Sequence, residues 1–188
     1  MALDFDGVSQ YVSIPGSSSL DCPSAMTITF WCYGESDAQK HILNKDGGST
    51  NRVWIIRPES STSLNCHIWT STGTLINGGV ANSFAPNAWH FYTMRAYVSG
   101  GNVYVETWMD GVYKGENHAA GTALKTVTAQ AINFCKDAIG YYNGILSDVR
   151  IYNRSLSANE IAEIYHKRGA DRVWQGLVGR WRLDELPS

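Results

Sequence analysis

Short segments of alternating apolar and polar residues run through most of the chain and end at glycine, asparagine or aspartate. Clear examples are residues 26–34, 63–69, 89–97 and 102–109. A period of two is typical of β-strands that bury one face and expose the other. Turn residues such as Asp110-Gly111 separate the segments and favour tight antiparallel hairpins. The pattern predicts an all-β chain folded as a two-sheet antiparallel sandwich.

A change of period near the C-terminus predicts one short helix over residues 157–168. Ser157 precedes Glu160 by three residues, which is the spacing of a capping box. Ile161 follows at helical spacing, and Gly169 lies where a helix commonly ends. The helix is expected to lie against the rim of a sheet.

Five sequence blocks occur in order: ALDFDGVSQYVSIP at 2–15, MTITFWCY at 26–33, AWHFY at 88–92, VETWMDG at 105–111 and GILSDVRIYNRSLSANEI at 144–161. Together they resemble the laminin G-like modules of the concanavalin A-like lectin/glucanase superfamily. The resemblance implies a jelly roll of two antiparallel sheets. It does not imply one activity, because this superfamily contains sugar binders, protein binders, glycosidases and structural modules.

The C-terminal segment 174–185 resembles the strand with which many modules of this family begin. Two arrangements are open: the segment completes the same sandwich as a circular permutation, or it opens a second module. We favour the first, because an unpaired strand carrying Leu177, Val178 and Trp181 would be prone to aggregation. A single domain over residues 1–188 is therefore predicted.

Composition and charge narrow the classes of partner. Fifteen basic and seventeen acidic residues give a net charge of -2, without a run of Lys or Arg that could follow a phosphate backbone, so nucleic acid is not an expected partner. The sequence shows neither an apolar stretch long enough to span a bilayer nor a signal-peptide pattern. We expect a soluble protein without membrane insertion, at an extracellular surface or on a virion rather than in cytosolic metabolism.

The four cysteines have no paired Cys-x-x-Cys spacing, so a zinc site is not predicted. Cys32, Cys66 and Cys135 lie in strand patterns and are expected to be buried. Cys22 lies beside Pro23 in a loop and is expected either to be exposed or to pair with one of them. An even count permits two disulfides but does not argue for them.

Aromatic side chains next to planar polar groups are what carbohydrate binding needs, because sugar rings stack on aromatic faces while their hydroxyls require oriented donors and acceptors. The candidate ligand-binding residues are Trp54, Arg52, Trp69, His67, Tyr141 and Tyr142, with Arg57 and Asn65 among the polar groups able to flank them. Trp54/Arg52 and Trp69/His67 are each two residues apart in a predicted strand, so each pair should share a face. The alternative for any single tryptophan is packing in the core.

Calcium is the cofactor that the family resemblance implies, since many of its modules bind it. The ion needs several oxygen ligands at once. Asp6 and Asp148 lie in the two best-matching blocks and are the predicted metal ligands. Each has a competing structural role, because Asp6 precedes a glycine in a turn and Asp148 can pair with Arg150.

No catalytic residues are predicted. Catalytic members of the superfamily usually carry Glu-x-Asp-x-x-Glu on one strand, and this motif is absent; Glu106 and Asp110 come nearest. We predict a non-enzymatic recognition module that binds a glycan or a protein surface, with glycan ranked first. The alternative is a structural, assembly or decoration module of a phage or other particle, able to form a homo-oligomer. An unrecognised glycoside hydrolase is the third hypothesis.

Overall fold

The computed structural model describes residues 2–35 and 39–184. Within these ranges the strands and the helix are β1 Leu3–Asp6, β2 Val12–Ile14, β3 Ala25–Gly34, β4 Leu43–Asp46, β5 Arg52–Ser60, β6 Ser63–Trp69, β7 Leu75–Asn77, β8 Val80–Ala81, β9 Trp89–Ser99, β10 Asn102–Met109, β11 Val112–Ala120, β12 Ile132–Phe134, β13 Asn143–Tyr152, α1 Ala158–Lys167 and β14 Leu177–Trp181.

The strands form two antiparallel sheets of seven strands each. The first has the order β1-β13-β3-β9-β10-β11, with β14 also beside β13. The second has the order β2-β12-β4-β5-β6-β7, with β8 beside β6. The prediction of an all-β, two-sheet antiparallel sandwich with one short helix is confirmed.

The core lies between the two sheets and is filled from both sides. Phe30 and Tyr92 enter it from the first sheet, and Trp54, Ile56 and Cys66 enter from the second. Each of these side chains is at most 1% exposed. Burying a large apolar side chain contributes roughly 1.5–3 kcal/mol. This interior therefore fixes which face of each strand points outward.

The helix packs on the outer face of the first sheet. The Ser157 hydroxyl accepts from the Glu160 amide and the Glu160 carboxylate accepts from the Ser157 amide, which is the predicted capping box. Ile161 and Ile164 belong to a buried cluster that includes Trp31 of β3. The cap therefore begins the helix, and its apolar stripe holds it against the sheet.

The C-terminal strand returns to the sheet in which the chain begins. Strand β1 pairs with residues 143–146 of β13, and β14 pairs with residues 149–152. The two strands thus follow one another along one edge of β13. Within the predicted segment 174–185, Glu185 lies outside the described residues.

A buried ion network joins this C-terminal segment to β13. Arg150 is fully buried and donates to both carboxylate oxygens of Asp171, each at 2.8 Å. Its Nε also donates to Asp148 Oδ1 at 3.1 Å, and Arg180 Nε of β14 donates to the same oxygen at 2.7 Å. A buried charge is tolerated only when it is paired and hydrogen-bonded, so each member of the network depends on the others.

All four cysteines are free and buried. Burial raises the pKa of the Cys66 thiol to about 12, so the thiol stays protonated at neutral pH. Cys22, for which exposure or pairing was expected, is one of these buried thiols. The cysteines therefore act as small apolar core residues.

The Arg150 network should be essential for stability. Arg150→Met leaves Asp171 buried without its partner and should lower the free energy of unfolding by about 3–5 kcal/mol. Lys167→Met breaks only the exposed Lys167–Glu163 pair and should change the free energy of unfolding by less than about 1 kcal/mol. Urea unfolding followed by tryptophan fluorescence measures both. Equal, small effects of the two substitutions would contradict this role.

Candidate functional site

The outer face of the second sheet presents polar side chains on two neighbouring strands. Ile56 of β5 and Cys66 of β6 point into the core, so their neighbours along each strand point outward. Arg57 of β5 lies directly opposite Asn65 of β6. His67 follows Asn65 by two residues and so shares its face.

Four side chains on and beside this face each hold a buried polar atom without a hydrogen-bond partner, and we call them the polar patch. The atoms are His41 Nδ1, Arg57 Nε, Asn65 Oδ1 and His67 Nε2. They are four of the six such atoms in the described part of the chain; the other two are threonine hydroxyls on the first sheet. A buried polar atom left unpaired costs about 1–3 kcal/mol, so their concentration at one place requires an explanation.

Glu59 orients the Asn65 amide. Asn65 Nδ2 donates to Glu59 Oε2 at 3.2 Å, and Arg57 Nη2 donates to the same oxygen at 3.3 Å. Turning the amide over would set its oxygen against the carboxylate, so Oδ1 is held as a free acceptor. Arg57 Nε is a donor. The patch thus offers an unpaired donor and an unpaired acceptor on residues directly opposite each other.

Both histidines of the patch are neutral at pH 7. Burial, reinforced by the charge of Arg57, lowers the pKa of His67 to about 4. Burial also lowers the pKa of His41. A positive charge on His41 would lower the pKa of His67 further. A neutral imidazole has one donor and one acceptor nitrogen. The histidines therefore add hydrogen-bonding capacity to the patch without adding positive charge.

Trp69 and Arg52 border the patch. The His67 and Trp69 rings lie edge to face with centroids 6.0 Å apart. The Arg52 guanidinium lies 6.0 Å from the Trp69 ring, and its side chain is 47% exposed. Trp69 itself is only 8% exposed. A ligand stacking on Trp69 must therefore displace Arg52, whose side chain is about half exposed.

The model of a family in the concanavalin A-like lectin/glucanases superfamily, Laminin_G_3, matches residues 6–162. The chain belongs to this superfamily. The resemblance inferred from the sequence blocks is confirmed.

Other proteins similar to the chain share the fold at low identity. Adhesion G-protein coupled receptor V1 of Danio rerio is 23% identical over 178 residues, or 88% of this chain, which spans only 3% of the receptor's length. Domain 4 of AbnA, a GH43 extracellular arabinanase from Geobacillus stearothermophilus solved with arabinotriose, is 14% identical with a TM-score of 0.63, covering 87% of this chain and 76% of that one. The botulinum neurotoxin serotype D binding domain is 14% identical with a TM-score of 0.65, covering 89% and 42%.

The superfamily fold places two of the predicted ligand-binding residues in the interior. Trp54 is 1% exposed and lies in the core. Lys45 opposes Trp54 while Asp46 opposes Arg52, so Val53 is an extra residue at a β-bulge. The bulge breaks the alternation, and Trp54 and Arg52 do not share a face. The structure therefore places Trp54 between the two sheets and not on the outer face where the sequence pattern put it.

Tyr142 is likewise buried, and its hydroxyl donates to the Glu35 carbonyl at 3.0 Å. The Tyr142 ring therefore lies in the core and not on the outer face with the other candidates. Tyr141 lies elsewhere, with its ring 5.9 Å from that of Tyr11. The structure therefore brings together Arg52, His67 and Trp69 of the predicted set. It adds His41, which no local pattern indicated because its position beside His67 depends on chain segments far apart.

The two carboxylates predicted to bind calcium have protein partners instead. Asp6 Oδ1 accepts from the amides of Ser9, Val8 and Gln10 at 2.9–3.1 Å, and these bonds lower its pKa to about 2. For Asp148, burial opposes ionisation, but hydrogen bonds from two arginines outweigh it and lower the pKa.

Asp6 and Asp148 also lie too far apart to bind one ion. Asp6 pairs with Asn143, five residues before Asp148 on β13, which corresponds to about 17 Å of strand. The described ranges contain no group of three or more His, Cys, Asp or Glu side chains that could hold a metal. The predicted pair does not fit a calcium site.

The two carboxylates nearest to the catalytic pattern are also occupied. Glu106 is held by Arg95 at 2.7 and 2.8 Å and by Trp108 Nε1 at 2.8 Å. Asp110 accepts from the Phe91 amide at 2.9 Å and lies 2.7 Å from His90 Nδ1. A glycosidase needs a carboxylate pair facing one bond, and these two have separate partners.

A second surface that sequence reasoning missed is a groove of about 480 Å³ on the first sheet, lined by Ala2, Trp31, Trp89, Ser147, Asp148 and Arg168. Trp89 is 43% exposed. Arg168 lies 4.9 Å from the Trp31 ring and covers it. Trp89 lies on the opposite side of the sandwich from the polar patch, so it is a suitable control position for experiments on the patch.

None of the helices in the described ranges is long and apolar enough to cross a membrane.

His67 should make stability depend on pH. The unfolded imidazole titrates near 6.5 and the folded one near 4, so between these values the unfolded chain binds more protons. The free energy of unfolding should fall as the pH is lowered from 6.5 to 4, with His67 contributing about 2–3 kcal/mol. In His67→Gln the fall should be smaller by this amount, as measured by urea unfolding at several pH values.

The matched control is His118→Gln, which changes an exposed histidine. It should retain the pH dependence of the unsubstituted chain. A fall of the same size in His67→Gln would contradict the assignment.

Proposed function

We propose that the chain is a non-enzymatic glycan-binding module, with the polar patch, Arg52 and Trp69 as its binding surface. The concentration of unpaired buried polar atoms in the patch is the observation that carries the proposal. Folding alone gives no reason to retain them, because apolar residues of similar shape would remove the cost. A ligand that hydrogen-bonds to them supplies that reason.

Sugar hydroxyls match the chemistry of the patch. Each hydroxyl both donates and accepts, so one hydroxyl can accept from Arg57 Nε and donate to Asn65 Oδ1. The neutral histidines add further donors and acceptors. Arg52 and Trp69 lie beside them and provide a planar group and an aromatic ring. The surface thus combines the two elements that saccharide recognition uses.

The four atoms are buried, so binding requires side-chain rotations that bring them into contact with the ligand. The backbone that carries Arg57, Asn65 and His67 belongs to central strands of the second sheet. A site on paired strands keeps its geometry better than one on loops. Domain 4 of AbnA, which has a similar fold, was solved with arabinotriose, and this supports the choice of a saccharide.

Asn65→Leu separates binding from stability. The substitution keeps the side-chain size and removes the unpaired acceptor together with one hydrogen bond to the exposed Glu59, so the free energy of unfolding should change by less than about 1 kcal/mol. The affinity for a bound glycan should fall at least about tenfold. The measurement is isothermal titration calorimetry with glycans selected from a panel of neutral and acidic saccharides.

Trp89→Ala on the first sheet is the control and should leave glycan affinity unchanged. An Asn65→Leu protein that binds as tightly as the unsubstituted chain would refute this site. Loss of binding in Trp89→Ala alone would move the site to the groove on the first sheet.

A further inference from the structure

We infer that this surface selects uncharged saccharides and rejects acidic ones, with Glu59 as the residue that sets the preference. The inference rests on the proposed function and specifies its ligand class. It follows from how the charges of the surface are paired.

Each arginine at the surface has a carboxylate beside it. Arg57 Nη2 lies 3.3 Å from Glu59, and Arg52 Nε lies 3.5 Å from Asp46. These four side chains therefore carry no net charge. With the two histidines of the patch neutral at pH 7, these residues together carry no net positive charge that would attract a ligand anion.

The unpaired acceptor also discriminates against anions. A carboxylate or sulfate oxygen only accepts hydrogen bonds, so it cannot satisfy Asn65 Oδ1. A hydroxyl at the same place can donate a hydrogen bond to this oxygen. Sites built to hydrogen-bond a hydroxyl discriminate strongly against ligands that lack it, since the buried polar group is left unpaired.

Glu59 adds direct repulsion. Its carboxylate contacts both Arg57 and Asn65, so a ligand anion near the patch would lie close to a like charge. Its side chain is 41% exposed, so changing its charge does not disturb the core. Glu59→Gln keeps an oxygen that can accept from Arg57 and Asn65 while it removes the negative charge.

The test compares neutral trisaccharides of galactose, mannose and glucose with their counterparts in which the C6 hydroxyls are carboxylates. Calorimetry at pH 7 and low salt measures both dissociation constants for each protein. For each trisaccharide that the unsubstituted chain binds, the neutral form should bind at least about tenfold more tightly than its acidic counterpart. In Glu59→Gln that ratio should fall at least about fivefold, because the acidic trisaccharide no longer meets a like charge.

The matched control is Glu116→Gln, which removes an exposed carboxylate on β11 of the first sheet and should leave the ratio unchanged. Equal or tighter binding of the acidic trisaccharide to the unsubstituted chain overturns the inference while leaving glycan binding in place. A ratio that Glu59→Gln does not change overturns the role of Glu59. If neither set binds the unsubstituted chain, the proposed function and this inference fail together.

Discussion

Packing of the two sheets against each other determines both the fold and the position of the polar patch. Ile56 and Cys66 must point inward to fill the interior, and this forces Arg57, Asn65 and His67 onto the outer face. A shift of one residue in strand register would exchange the two faces. The patch residues on β5 and β6 therefore share the outer face only in the register that the core selects.

The unpaired atoms of the patch lower the stability of the fold, and interactions at other places raise it. Four unpaired polar atoms at about 1–3 kcal/mol each are large beside the 5–15 kcal/mol by which domains are usually stable. Elsewhere, the Arg150 network holds the C-terminal strand against β13, and the capped helix covers part of the first sheet. Residues that lower stability are often retained because function requires them.

Local patterns in the sequence predicted the sandwich and the helix, because alternation and the Ser157/Glu160 box are short-range signals. They also placed His67 and Trp69 on one face, and the structure shows these rings in contact. Trp54 was predicted on the same face as Arg52 because the bulge at Val53 is not visible in the pattern of apolar and polar residues. Residues 117–120 show little alternation because they belong to β11, an edge strand without a buried side chain.

The polar patch is tested most directly by a nuclear magnetic resonance titration of the labelled protein with a neutral trisaccharide. The signals observed are those of arginine Nε–H, asparagine amides, histidine rings and tryptophan indoles. We expect the largest changes at Arg57, Asn65 and His67, since these carry the unpaired atoms that the hydroxyls would satisfy. Largest changes at the Trp89 indole and Arg168, or no changes at any saccharide concentration, would contradict this expectation.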